Sequence, residues 1–367
     1  MGQPAFLEFY GRNNISPVAQ NVADLARHFS CRRHLYHHLG IPPIAMRDRR
    51  IVEFGCGSGH NSLYIESLKP RHYALVDGNE RGICETAARL RGADEILHSK
   101  IEDCRTPEKK FDVVLCEGVI PHQEHPADLA RHVASFTAPG GVLVITTADY
   151  VSVLSETLRR LIRDTMIDCN APIDEQLKML RPIFESHAAH LPGMNRSVDD
   201  WIIDTIINPW EHPLFSIEDA IVALGDEFEI LGSSPRFLTD WRWYKDLHGS
   251  NAQLNAIAIR QYHARGLGLI DCRTEFPPVG KHTQFRVATI SRSIFDLMLA
   301  AESGHPVDAA NIADRCDELF ACLLTASWQT GDALKNAAGY FRNRDQLIEF
   351  APWFGRGQQY LSFVRKG

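Results

Sequence analysis

Residues 51–60 read IVEFGCGSGH, an apolar run followed by glycine at 55, 57 and 59. No other stretch constrains the fold of this chain as much. Glycine at every second position opens backbone angles closed to other residues and removes side chains from the path of a close neighbour. Where such a bend joins a strand to a helix, the unpaired N–H groups of the helix start face whatever approaches. A strand, a bare bend and a helix together open a βαβ unit and predict a parallel sheet with right-handed crossovers.

Residues 50–147 keep that rhythm. Apolar runs at Ile51–Phe54, Tyr73–Val76, Ile96–His98, Phe111–Cys116 and Val142–Thr147 read as strands. Helical patterns lie between them at His60–Leu68, Arg81–Leu90 and Ala127–Phe136, with Pro139–Gly140–Gly141 stopping the last. In Phe111–Cys116 neighbouring positions are apolar together, as in a strand covered on both faces. Before this region Val22–Leu39 reads as a helix ended by Gly40 and Pro42–Pro43. After Tyr150 the pattern turns helical. Leu154, Leu158, Leu161 and Ile162 mark one helix; Leu177, Leu180 and Phe184 mark another, interrupted near Pro182. Trp201, Ile202 and Ile206 suggest a third. Ser216 with Asp219 reads as a capping box.

Two ligand classes use a glycine-rich strand-to-helix bend. The dinucleotide pattern G-x-G-x-x-G fails in both registers, with His60 or Ser62 where the last glycine belongs. A phosphate loop of the G-x-x-x-x-G-K-S/T kind is absent. The pattern present is E-x-G-x-G-x-G: Glu53, Gly55, Gly57 and Gly59. With YALVDGNE (73–80), KIEDC (100–104), FDVVLCEGVIPH (111–122) and FTAPGGVLVITT (136–147) following in order, residues 45–150 resemble the class I S-adenosylmethionine-dependent methyltransferases. SPVAQ, HNSLYIESL and GDEFEILGSSPRF resemble unassigned bacterial methyltransferases of surface-glycan or secondary-metabolite pathways.

The resemblance implies a Rossmann-like, doubly wound, mostly parallel seven-stranded sheet with large C-terminal helical insertions. Phe228–Leu231 is the expected sixth strand and Gln359–Arg365 the seventh, with Arg236–Tyr244 an alternative seventh. The expected division is a helical leader at 1–45, a cofactor-binding core at 46–150, a helical insertion or cover at 151–225, a returning strand at 226–245, a second helical region at 246–352 and a closing strand at 353–367. The implied cofactor is S-adenosyl-L-methionine, with S-adenosyl-L-homocysteine as product. Glu53 is expected near its ammonium, Gly55, Gly57 and Gly59 beneath its carboxylate and ribose, and Asp77, beside Gly78 and Asn79, on its ribose hydroxyls. A carboxylate can accept from two vicinal hydroxyls at once; an acid at a strand end also serves as a plain helix cap. Glu102 and Asp103 fall where the family meets the adenine, with Asp103 assigned to its amino group.

Methyl transfer by in-line displacement needs alignment above all, and a base only where the acceptor holds its proton. The Asn/Asp–Pro–Pro–Tyr/Phe signature of amine and amide methylators and the Pro–Cys of cytosine methylators are missing after Cys116. The expected reaction is therefore methylation of an O or N atom on a small or medium-sized metabolite such as a sugar. The alternative is a non-catalytic sensor or scaffold that binds the same cofactor. His122 is the candidate base, Glu117 the candidate for orienting the methionine end or the acceptor, and Tyr10 a candidate lining of the methyl pocket; packing roles for His122 and Tyr10 stand beside these. His122, Glu124 and His125 read as solvated loop groups rather than a metal site. The aromatics of DWRWYK (240–245) read as core or interface anchors.

Composition narrows the partners. A net charge of −7, with 39 basic and 46 acidic residues and no long basic run, speaks against nucleic acid and anionic membranes. The 9 cysteines are scattered without a C-x-x-C pair, which reads as free thiols in a reducing compartment. With no signal-peptide pattern and no membrane-length apolar run, a cytoplasmic protein is expected, a homodimer being one use for the added helices.

Overall fold

The computed structural model describes residues 5–16, 19–104, 110–191, 193–324 and 326–367. The apolar runs become β1 (Arg50–Phe54), β2 (His72–Asp77), β3 (Glu95–His98), β4 (Phe111–Cys116), β5 (Thr137–Ala148), β6 (Phe228–Ser234) and β7 (Gln358–Arg365). They form one sheet in the order β3-β2-β1-β4-β5-β7-β6. The first five run parallel; β7 lies antiparallel between β5 and β6. The expected sixth and seventh strands are thus both in place, and the alternative at 236–244 is loop and a short 3-10 turn. Pro139–Gly140–Gly141 does not precede the fifth strand but lies inside it. Gly140 takes φ +72, and the β4–β5 register shifts between Phe111 and Val113, so the glycines absorb a bulge instead of breaking the ladder.

The helices, in chain order, are α1 (Ala5–Asn13), α2 (Leu25–His38), α3 (Ser62–Ser67), α4 (Glu80–Arg89), α5 (Pro126–Ala134), α6 (Leu154–Asp164), α7 (Ile173–Ala188), α8 (Val198–Trp201), α9 (Ile217–Leu224), α10 (Leu254–Arg265), α11 (Lys281–Glu302), α12 (Ala309–Leu323) and α13 (Trp328–Asn343). The chain divides into two compact units. One comprises Met1–Ala148, Pro213–Tyr262 and Gln358–Gly367; the other comprises Asp149–His212 and His263–Gly357. α9, inside the 151–225 segment, belongs to the sheet unit.

In the sheet unit, Ile51, Tyr73, Leu75, Val113, Leu115 and Val144 are buried together with Tyr36, Leu39 and Ile41 of the leader. The leader is therefore part of the core and not an appendage. Each fully buried aliphatic or aromatic side chain there contributes about 1.5–3 kcal/mol of transfer free energy. α9 starts at the predicted capping box: Asp219 N–H donates to Ser216 Oγ at 3.2 Å, and Ser216 N–H donates back to Asp219 Oδ2 at 2.9 Å. The DWRWYK aromatics are not core anchors. Trp241 is 93% exposed, and Trp243 and Tyr244 also face solvent, because Asp240 folds back on Arg242 and turns Trp241 outward.

The helical unit corrects one boundary. α7 runs through Pro182 without interruption. Proline removes one N–H donor, but Leu180 and Phe184 on either side are fully buried and hold the helix together. α8 continues directly into a π-helical turn, Ile202–Ile207. Among the described residues no helix is long and apolar enough to cross a membrane, and the nine cysteines are free thiols.

Candidate active site

The strand order reverses between β1 and β4, where the chain first builds outward through β2 and β3 and then returns. Open α/β sheets bind ligands in the crevice at the carboxyl ends of strands at such a point. The glycine bend leaves β1 there, and Glu117 leaves β4 beside it.

All three bend glycines take the left-handed conformation, with φ of +76 at Gly55, +55 at Gly57 and +73 at Gly59. Two of them also face protein. A Cβ on Gly55 would run into Val119 Cγ2, and one on Gly59 would lie 2.7 Å from Thr86 Oγ1. The missing side chains at 55 and 59 therefore make room for Val119 and Thr86, a correction to the expectation that they clear space for a ligand alone. Gly57 is pinned from two sides: its N–H donates to Asp77 Oδ2 at 2.7 Å, and its carbonyl accepts from Thr86 Oγ1 at 2.9 Å. α4 approaches so closely that a Cβ on Gly82 would sit 2.8 Å from the Gly57 carbonyl oxygen.

Asp77 ends β2, buried. Its Oδ1 accepts from Asn79 N–H at 2.7 Å while Oδ2 holds Gly57. Burial pushes its carboxyl up, against the pull of those two backbone N–H groups. The helix cap is Asn79, whose Oδ1 accepts from Gly82 N–H at 3.2 Å. Asp77 is thus the tie between the first two strand ends, with one lone pair on each oxygen left over. The leader lies against this spot. Leu7 abuts Gly78, Asn79 Nδ2 donates to the Ile15 carbonyl at 3.4 Å, and Arg81 donates to the Asn14 carbonyl. Tyr10, on α1, is buried and packs edge-on against Phe6.

The other flank of the bend carries two acids. Glu53 lies inside the sheet, 6% exposed, and accepts from the Tyr73 hydroxyl. Burial pushes it from 4.5 up to about 7; the Tyr73 hydrogen bond and Arg32 oppose that, and the Glu117 charge adds to it. Glu117 takes Arg32 Nη2 on both oxygens, at 2.8 and 2.7 Å, and the Tyr36 hydroxyl at 2.7 Å. Gly118 follows with φ +77, its N–H bonded to Thr146 Oγ1 at 2.8 Å, which fixes the end of β4 against β5. Arg32 Nε is buried and has no partner among the described residues.

The remaining sequence candidates are less engaged. Glu102 and Asp103 form an exposed turn after β3. His122 closes a 3-10 turn, and its side chain lies outside the described residues. His60, in the failed glycine position, is buried on Ser58 Oγ at 2.7 Å and lowered to about 4, chiefly by burial. Periodicity did not mark Arg32, Tyr36, Tyr73 or Thr86. One trace was available: His28, Arg32 and Tyr36 recur every fourth residue along α2 and are all buried, so an arginine stands on the core face of that helix.

The crevice therefore offers a carboxylate with spare lone pairs at one end. At the other it offers a carboxylate, Glu117, fixed by a guanidinium and a phenol. That complements a ligand with vicinal hydroxyls at one end and a zwitterionic amino acid at the other.

Residues 26–185 match the family model of a methyltransferase domain. A ubiquinone biosynthesis O-methyltransferase of Neisseria meningitidis is 31% identical over 110 residues, 28% of this chain and 45% of the relative. A tRNA U34 carboxymethyltransferase of Actinobacillus pleuropneumoniae is 29% identical over 113 residues, 29% of this chain and 35% of the relative. The chain thus spans less than half the length of these two curated relatives. Among solved structures, the N-methyltransferase NodS of Bradyrhizobium japonicum in complex with S-adenosyl-L-homocysteine aligns at a TM-score of 0.31 and 16% identity, covering 40% of this chain and 74% of that one.

Proposed function

We propose that this chain, whose residues 26–185 form a methyltransferase domain of the class I S-adenosylmethionine-dependent family, transfers a methyl group to an O or N atom of a small or medium-sized metabolite. When bound, the cofactor supplies a sulfonium-activated methyl carbon open to direct displacement. The residues present fit it. Asp77 keeps a lone pair on each oxygen for the ribose hydroxyls, and Glu117 is a carboxylate held on both oxygens at the other end, suited to a cationic group. The observation that carries the reading is the Asp77–Gly57 tie at 2.7 Å, which sets the bend against the second strand end at the reversal of the sheet.

The chain's own residues would bind, orient and exclude water. Gly55, Gly57 and Gly59 shape the bend, Gly78 and Asn79 carry the leader over it, Glu53 stiffens its base, and Glu102 and Asp103 border the adenine end. Glu117 orients the methionine end. His122 takes the proton of a hydroxyl acceptor, and Tyr10 closes the pocket wall. Orientation of this kind supplies about 7–11 kcal/mol of barrier reduction. The net charge of −7 favours a small acceptor over a tRNA.

The test is transfer of isotopically labelled methyl from S-adenosylmethionine to a panel of hydroxylated and amino metabolites, with bulk tRNA as a further arm. Labelled small-molecule product that disappears in His122→Ala is expected. Binding of S-adenosylhomocysteine with no transfer to any acceptor would favour the sensor; labelled tRNA alone would overturn the acceptor class.

A further inference from the structure

Around the methionine end, charge is unevenly placed. Glu53 on β1 and Glu117, just after β4, face one arginine, Arg32, from α2. The other polar groups that face them are the hydroxyls of Tyr36 on α2, Ser62 on α3 and Tyr73 on β2, with Tyr360 of β7 beyond Arg32. Glu53 and Glu117 differ in how they are held. Glu53 accepts from the neutral Tyr73 hydroxyl and has no cation bonded to it, and its burial outweighs the more distant Arg32 charge and favours the protonated form. Glu117 has a guanidinium nitrogen on both oxygens and a phenol on one, and its side chain is 10% exposed. Charge-assisted hydrogen bonds of that length hold its orientation. Arg32 and Glu117 stand 85 positions apart in sequence. The contact therefore links the leader to the β4 end, and nothing about helix α2 itself requires it.

We infer that Arg32 and Tyr36 are positioning residues of the cofactor site: they fix Glu117, rather than Glu53, as the anion that receives the cofactor's ammonium group. This rests on the methyltransferase reading and deepens it. Arg32 does two separable things. Nη2 orients Glu117 on both oxygens, and the guanidinium charge balances its carboxylate. Without Arg32, Glu117 is left nine-tenths buried with a single phenolic partner, and its carboxylate can turn away from the ammonium. Without Tyr36's hydroxyl the charge remains and only the orientation loosens.

Calorimetric titration with S-adenosylhomocysteine tests this. In Arg32→Met affinity falls about tenfold or more. Arg32→Lys retains most of the affinity. Tyr36→Phe loses about threefold. Glu117→Gln weakens binding more than Glu53→Gln does, and Arg32→Met adds little to the loss in Glu117→Gln, because Arg32 acts through that carboxylate. Equal affinity in Arg32→Met at matched folded fraction would overturn the inference. So would additive losses in the double variant, since Arg32 would then act on the ligand directly. Should Arg32→Met fail to fold, the near-isosteric Glu117→Gln and Glu53→Gln decide the matter, and Glu53→Gln as the weaker of the two would overturn it. Wild-type protein that does not bind S-adenosylhomocysteine overturns the proposed function and this inference with it; binding with unaffected variants overturns only the inference.

Discussion

The helical unit buries Arg159, Arg160 and Arg163 on α6, and the sheet unit buries Arg32 on α2, but the two clusters are satisfied in opposite ways. Arg160 donates to the carbonyls of Thr205, at 2.8 Å, and Asn208, and to Glu302 at 2.9 Å. Arg163 reaches the Ile206 carbonyl, Asp164 and Glu302. Their acceptors are backbone oxygens at the C-terminal end of the π-helical turn at 202–207 and just after it, where the last carbonyls of a helix have no partner within the helix. Arg159 donates to the carbonyls of Ala351 and Trp353 and lies 3.9 Å from the Phe354 ring centroid; burial brings it down to about 10. These arginines close irregular backbone. Arg32 touches no backbone acceptor among its hydrogen bonds; it serves a carboxylate in the crevice. Buried charge in one unit holds irregular chain, and in the other it holds a carboxylate at a strand end.

The largest test of that contrast is Arg160→Met. It leaves Glu302 short of a partner and removes the donors that Arg160 gives to the Thr205 and Asn208 carbonyls, and removal of one member of a buried pair costs about 3–5 kcal/mol. Urea denaturation is expected to show that loss while the folded fraction binds S-adenosylhomocysteine as before. A binding defect with intact stability would break the distinction.

Next comes the pH dependence of Glu53. Its carboxyl is raised in the folded protein from 4.5 to about 7, so the folded state holds a proton that the unfolded state has released. Stability therefore falls as pH rises from about 4.5 through about 7, by up to about 3 kcal/mol. Glu53→Gln removes this slope, and the difference between the two proteins' denaturation midpoints should grow with pH across that window. Asp77 shifts in the same direction, and it remains in both proteins, so it cancels.

Asp77→Asn is expected to be smaller in stability and larger in binding. Its amide places an NH2 against one of the two N–H donors, Gly57 or Asn79, that the carboxylate now accepts. The conflict costs about 1–3 kcal/mol. The bend then loses its tie to β2, and S-adenosylhomocysteine affinity should drop by about tenfold or more. Unchanged affinity would mean Asp77 is only a turn residue.

These features were unequally legible in the sequence. The strands at 51–54, 73–76 and 111–116, the bend and the Ser216 capping box were visible because each is a local pattern: apolar runs, spacing of glycines, a cap and its partner three residues on. Even β6 and β7, far apart along the chain, show as short alternating segments. The Arg32–Glu117 pair could not be read, because it depends on how the leader folds over the β4 end. Thr86 and Gly82 were hidden for a related reason: they matter through what presses against them, the Gly57 carbonyl. At Trp241 aromatic density pointed to a core or interface anchor, and the core half fails because the Asp240–Arg242 clamp presents the ring to water. At Pro182 a local rule was outweighed by the burial of Leu180 and Phe184.

The smallest expected effect sets the baseline for the comparison. Arg342 on α13 pairs with Asp314 at 2.8 Å and Asp317 at 2.7 Å on α12. The distances match those of Arg32 with Glu117, but Asp314 is 72% exposed. Water solvates these charges whether or not they meet, and holding long side chains in one geometry costs entropy, so such pairs contribute about 0.2–1 kcal/mol. Asp314→Asn should change stability by less than about 0.5 kcal/mol, because Asp317 retains the partner, and raised salt should erase the difference. If Asp314→Asn cost as much as Arg160→Met, burial would not be what separates these clusters, and short ion-pair distances alone would have to account for both.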